Sequence, residues 1–177
     1  MYIFCGEHLL CARLRTADQD AAAGSQAEVE RLVNHIRQAW PTVPIILRAD
    51  SGFCREELMK WCEEHGLSYV LGFARNARLR RLIEPQMQEA AQQYQATQQP
   101  TRVFTELVYE TTTGSWSRAR RVVAQAEYLA KGENPRFVVT NWPAEAWSAQ
   151  PLYEELYCGR GEMENRIKEQ FSYSPRE

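Results

Sequence analysis

Two carboxylates stand where chemistry is often done. Asp50 closes the segment Pro-Ile-Ile-Leu-Arg-Ala-Asp at residues 44–50, at the carboxyl end of a short apolar run. In open α/β sheets, ligand sites lie just beyond such strand ends. Gly52, two residues on, lets the backbone turn sharply there. An Asp ahead of a helix also serves as a cap or turn residue, and both roles stay open for Asp50. The second carboxylate is Glu164, in a helical stretch near the C-terminus. At helical spacing Tyr153, Tyr157, Arg160, Glu164 and Lys168 share one narrow stripe. Leu152, Leu156, Gly159, Met163 and Ile167 form an apolar stripe beside it, suited to packing on a sheet. The same polar stripe also fits a solvated face with a Glu164–Lys168 pair. Gly159 inside the helix suggests close backbone packing, because glycine there costs about 1 kcal/mol.

The elements that must position these groups follow from periodicity. Residues 2–5 and 9–14 are β-rich and flank Gly6-Glu7-His8, a hairpin pattern. Val29, Leu32, Val33, Ile36 and Trp40 place a helix over 26–40, which Pro41 ends. Residues 45–47 read as a strand buried on both faces. A helix over 54–65 follows, with Glu56 and Glu57 in its first turn and Gly66 after its end. SYVLGF at 68–73 is a second buried-type strand, which makes a βαβ unit with a parallel pair. The hairpin and these strands are expected in one mixed sheet with helices against it. Residues 76–99 are helical, and 102–110, 118–128 and 136–141 are strand-like. They are read as a β-rich insertion before a last helix at 151–170. The expected division is 1–75 for the first part of the core, 76–149 for the insertion and 150–177 for the last core helix.

Composition bounds the rest. The chain has 177 residues, 44% hydrophobic and 25% charged, with net charge -2. Mean hydropathy is -0.54, and no apolar run approaches the roughly 20 residues of a membrane span. Five cysteines without a C-x-x-C pattern or a signal peptide point to reduced thiols in a cytoplasm. The net charge hides an asymmetry. Residues 70–121 carry +4 and the remainder -6. Arg75, Arg78, Arg80 and Arg81, then Arg118, Arg120 and Arg121, form two clusters suited to phosphate contact or to plain solvation. Trp116 precedes the second cluster, placed to stack on an unpaired base or to pack as an ordinary aromatic.

Three segments carry a family resemblance: YIFCGEHLLCARLR at 2–15, ILRADSGFCREELMKWCEEHG at 46–66 and LYCGRGEMENRIKEQ at 156–170. Together they resemble the catalytic core of bacterial insertion-sequence transposases of the DDE type, which have an RNase H-like fold. Tyr157, Arg160 and Glu164 match that family's Tyr-x2-Arg-x3-Glu signature. The resemblance implies that Asp50 and Glu164 are the second and third acidic residues of a metal-binding triad. It implies Mg²⁺ or Mn²⁺ as cofactor and transposon-end DNA as partner. It also implies a homodimer in the full-length protein, a bacterial cytoplasmic, nucleoid-associated location and no membrane. Two divalent ions about 4 Å apart suit in-line displacement at phosphorus. Arg160 and Tyr157 would orient phosphate or carboxylate.

Two features depart from that pattern. No acidic residue precedes Glu7, and Asp18 and Asp20 are poor substitutes for a first-strand Asp. Phe171 stands where the signature ends in Lys, with Lys168 nearby. The expectation is a core truncated at both ends and inactive alone. The alternatives are a non-catalytic DNA-binding or dimerising remnant, or another RNase H-like nuclease.

Overall fold

The computed structural model describes residues 1–14, 18, 20, 22–112 and 114–160. The chain opens with the hairpin β1 (Tyr2–Cys5) and β2 (His8–Ala12). Helix α1 (Ser25–Ala39) follows, then β3 (Ile46–Ala49), a 3₁₀ turn (Ser51–Phe53), α2 (Glu56–Glu64) and β4 (Ser68–Phe73). Two helices, α3 (Ala77–Leu82) and α4 (Glu84–Thr97), lead into β5 (Thr101–Tyr109) and β6 (Arg120–Leu129). The short β7 (Gly132–Glu133) and β8 (Arg136–Thr140) complete the strands. A closing segment begins as an α turn (Ala149–Pro151), continues as a π-helix (Leu152–Tyr157) and tightens to a 3₁₀ turn (Cys158–Arg160).

The main sheet has six strands in the order β3-β4-β8-β6-β5, with β7 paired to β6. β3 and β4 are parallel, and the other pairings are antiparallel. This is a mixed α/β fold consistent with the RNase H-like class. The parallel pair follows from the βα-β connection through α2, which alone can return the chain in the same direction. The strands of the β-rich stretch extend the same sheet, because β8 pairs directly with β4.

Side-chain alternation sorts the core onto two faces. Tyr69 and Leu71 of β4, Val122 and Ala124 of β6 and Val139 of β8 lie in one cluster with Val33, Met59, Leu79 and Ile83 from the four helices' region. Val70, Val123 and Val138 face the opposite way and pack on Leu152 and Tyr153 of the closing segment. The helices α1 to α4 thus share one face, and the closing segment covers the other.

Three expectations need correcting. The hairpin forms a separate two-stranded sheet, and a groove of about 230 Å³ lined by Ile3, Phe4, Ile46 and Leu47 lies between it and β3. β3 is consequently an edge strand and is not buried on both faces: Ile46 keeps 41% of its surface exposed. The closing segment is not a uniform α-helix, since its middle six residues are π-helical. A π turn holds about one residue more than an α turn, so the simple 3.6-residue wheel does not hold across residues 152–157. Tyr153, placed by that wheel on a polar stripe, is buried against Phe104, and its burial raises the phenol's pKa.

Candidate functional site

β3 alternates around Asp50. Leu47 and Ala49 pack into the helix-side core. Arg48, between them and paired in register with Val70, therefore turns to the face covered by the closing segment. One step past the ladder, Asp50 runs beside Gly72 of β4. A Cβ on Gly72 would lie 3.2 Å from the Asp50 carbonyl carbon and 2.8 Å from the Ser51 nitrogen. It would also lie 2.6 Å from the Tyr157 hydroxyl. Only glycine fits there. The Tyr157 phenol thus reaches over the sheet to the turn that Asp50 begins.

Asp50 fills the cap role. Its Oδ1 accepts a hydrogen bond from the Gly52 N–H at 2.9 Å and caps the 3₁₀ turn. The residue stays exposed, and Oδ2 has no hydrogen-bond partner among the described residues. Among the described residues no three His, Cys, Asp or Glu side chains come together. The described part of the site supplies a single hard ligand. Glu164 and Lys168 lie outside the described residues, as does the side chain of Arg160.

Two further contacts fix the closing segment over β3. Arg48 Nη1 donates to the Leu156 carbonyl at 2.7 Å, joining residues 108 positions apart. A Cβ on Gly159 would approach Arg48 Nη1 to 3.2 Å. Neither Arg48 nor Gly72 was singled out from the sequence. A glycine inside SYVLGF was the available signal, since glycine in a strand often marks close approach of another group. The other signal was a cation two residues before Asp50 in an apolar strand.

Beside this junction, a recess of about 470 Å³ is bounded by Ser51, Gly72, Tyr153 and Tyr157. Arg75 and Arg136 also line it, and both are exposed. The remaining cationic residues differ in their commitments. Arg78 is exposed, donates to the Glu110 carbonyl at 2.7 Å and lies over the Tyr109 ring. Arg80 pairs with Glu133 at 2.8 Å. Arg81 is exposed beside Glu84 and Met87. Arg118 is 61% exposed and sits 3.4 Å from Glu63.

Arg120 lies inside the fold, away from the surface where a local charge count places it. Its side chain is 2% exposed and pairs with Glu56 at 2.6 Å and Glu63 at 2.7 Å. Tyr69 donates to the same Glu63 at 2.7 Å. Burial works against the charges of Glu56 and Glu63, but hydrogen bonds from Arg120, with Ser117 and Tyr69, outweigh it and lower both pKa values. Arg121 is similarly engaged, by Glu106 at 2.6 Å and by the Trp142 and Trp147 carbonyls. Trp116 is a half-buried packing aromatic against Phe73 and Tyr109, with Arg120 over its ring.

A family model described as Transposase DDE domain group 1 matches residues 1–173. The chain belongs to the DDE transposase domain family. No curated protein sequence and no solved structure matches it. Within that family, Asp50 and Tyr157 are the parts of the implied site that the fold brings together. Such transposases typically use a divalent metal and act on DNA. Among the described residues of this transposase domain, no helix is long and apolar enough to cross a membrane.

Proposed function

We propose that this chain is the catalytic-core part of a DNA transposase whose activity is metal-dependent strand cleavage and strand transfer at transposon ends. The observation that carries the reading is the junction at Gly72. There the backbone at Asp50 and Ser51, just past a strand end, and the Tyr157 hydroxyl, from a segment far along the chain, both come close to Gly72. Asp50 and Glu164 would hold Mg²⁺ or Mn²⁺, which when bound activates the attacking oxygen and stabilises the leaving one. The Gly52 N–H holds Oδ1 of Asp50, and Oδ2 would serve as the metal ligand. Tyr157, Arg160 and Lys168 orient the DNA phosphate and neutralise its charge. Arg75 and Arg136 line the adjoining recess, where a DNA backbone leaving the site meets positive charge. Arg78, Arg80, Arg81 and Arg118 are further exposed cations proposed to contact DNA phosphate. Arg120 and Arg121 support the fold from within. The full-length protein acts as a homodimer on bacterial DNA in the cytoplasm.

A Mn²⁺ titration followed by electron paramagnetic resonance tests this. The chain is expected to bind Mn²⁺, and Asp50→Asn and Glu164→Gln are each expected to weaken binding about tenfold or more. Glu7→Gln, in the hairpin turn, should leave it unchanged. Absence of binding, or equal binding by all variants, contradicts the proposal. DNA binding that persists unchanged without any metal would favour the second reading, a non-catalytic DNA-binding remnant.

A further inference from the structure

We propose that Arg48 is a positioning residue that sets the closing segment over the strand that leads into Asp50. This rests on the reading of Asp50 and Glu164 as partners. Arg48 sits on the edge strand two residues before Asp50, and its register partner Val70 lies on the face that the closing segment covers. Its Nη1 donates to the Leu156 carbonyl at 2.7 Å. In the π-helix, the Cys158 N–H bonds back to the Tyr153 carbonyl, five residues earlier. Widening a helix in this way costs regular hydrogen-bond geometry, so a π turn persists where neighbours hold it. The guanidinium is such a neighbour. A charged donor to a carbonyl is about twice as strong as a neutral one.

Gly159 gives the clamp its room. A methyl group there would come within 3.2 Å of Arg48 Nη1, closer than ordinary packing allows. The glycine that seemed a cost to the helix lets the guanidinium pass beneath the backbone. The closing segment is thereby fastened to the sheet at two points, one on β3 and one on β4. Arg48 takes the Leu156 carbonyl, and the Tyr157 hydroxyl rests at Gly72. Two points on neighbouring strands fix both the height and the rotation of the segment.

Hydrogen exchange read by mass spectrometry on the 177-residue chain, with Mn²⁺ affinity as a second readout, tests the assignment. In Arg48→Ala, protection over residues 152–160 should fall about tenfold or more, while β4 and β6 stay protected. Mn²⁺ affinity should fall with it although both carboxylates are present. Arg48→Lys keeps a donor and should recover most of both. Gly159→Val, which leaves Arg48 in place but crowds it, should give the same pattern and serves if Arg48→Ala does not fold. Unchanged protection over 152–160 in both Arg48→Ala and Gly159→Val overturns the proposal. So does a Mn²⁺ affinity that stays at the wild-type value in a protein that has lost that protection. Should the wild-type chain bind no Mn²⁺, the metal reading fails by itself, and the exchange pattern still decides for or against the clamp.

Discussion

The Tyr157 hydroxyl rests on Gly72, 2.6 Å from the position a Cβ would occupy there. This contact joins the closing segment to the strand beside Asp50, and it makes a specific demand on both residues. Gly72→Ala should destabilise the fold by about 1–3 kcal/mol, as overpacking does. Tyr157→Phe in the same chain should return part of that loss, because the atom nearest the new methyl group is removed. The Ser51 nitrogen at 2.8 Å sets the part that is not returned. Urea denaturation of the two single variants and the double variant measures the coupling. Strict additivity would show that the contact does not constrain position 72.

Arg120 and Arg118 are close in sequence and opposite in burial, at 2% and 61% side-chain exposure. Arg120→Ala leaves Glu56 and Glu63 without their buried partner and should cost about 3–5 kcal/mol. Arg118→Ala should stay within about 0.5 kcal/mol. Comparable denaturation midpoints for the two variants would contradict the placement of Arg120 as an interior ion-pair centre.

The same network sets a pH dependence. Glu56 and Glu63 have lowered pKa values in the folded chain. Their contribution to stability is therefore complete above the usual carboxylate range and is lost as pH falls through the lower folded values. Stability should decline on acidification from about pH 5 downward. Glu56→Gln with Glu63→Gln should lower stability at neutral pH and flatten that decline. An equally steep acid limb in the double variant would show that other groups govern it.

How much of this was legible in sequence differs by element. The strands at 46–49, 68–73 and 136–140 and the helices α1 and α2 follow from periodicity and from Pro41 and Gly66, which are local signals. The hairpin's separation from the main sheet was not legible, since strand patterning says nothing about which edges pair. The π turn was not either, because a wheel of fixed step assumes the helix it is used to find. Arg120 was read as a surface cation because its partners Glu56 and Glu63 lie 64 and 57 residues away. The cap role of Asp50 is legible because strand end, Gly52 and turn all fall within three residues.

Thiol reactivity checks the burial pattern directly. Burial pushes the Cys54 and Cys62 thiols up to about 12, whereas Cys5 and Cys158 are exposed. At pH 8 a disulfide reagent should label Cys5 and Cys158 quickly and Cys62 only on unfolding. Rapid labelling of Cys62 in the native chain would contradict the packing of α2 against the sheet.

If Asp50 and the closing segment border one metal site, Fe²⁺-directed hydroxyl-radical cleavage of the protein backbone will map both. Radicals generated at a bound ion cut only the chain nearest to it. Two groups of cuts are expected, one near residues 48–52 and one near residues 157–165. Excess Mg²⁺ should suppress both together, and Asp50→Asn should abolish both. Cuts confined to one of these segments, or cuts that survive in Asp50→Asn, would contradict a shared site.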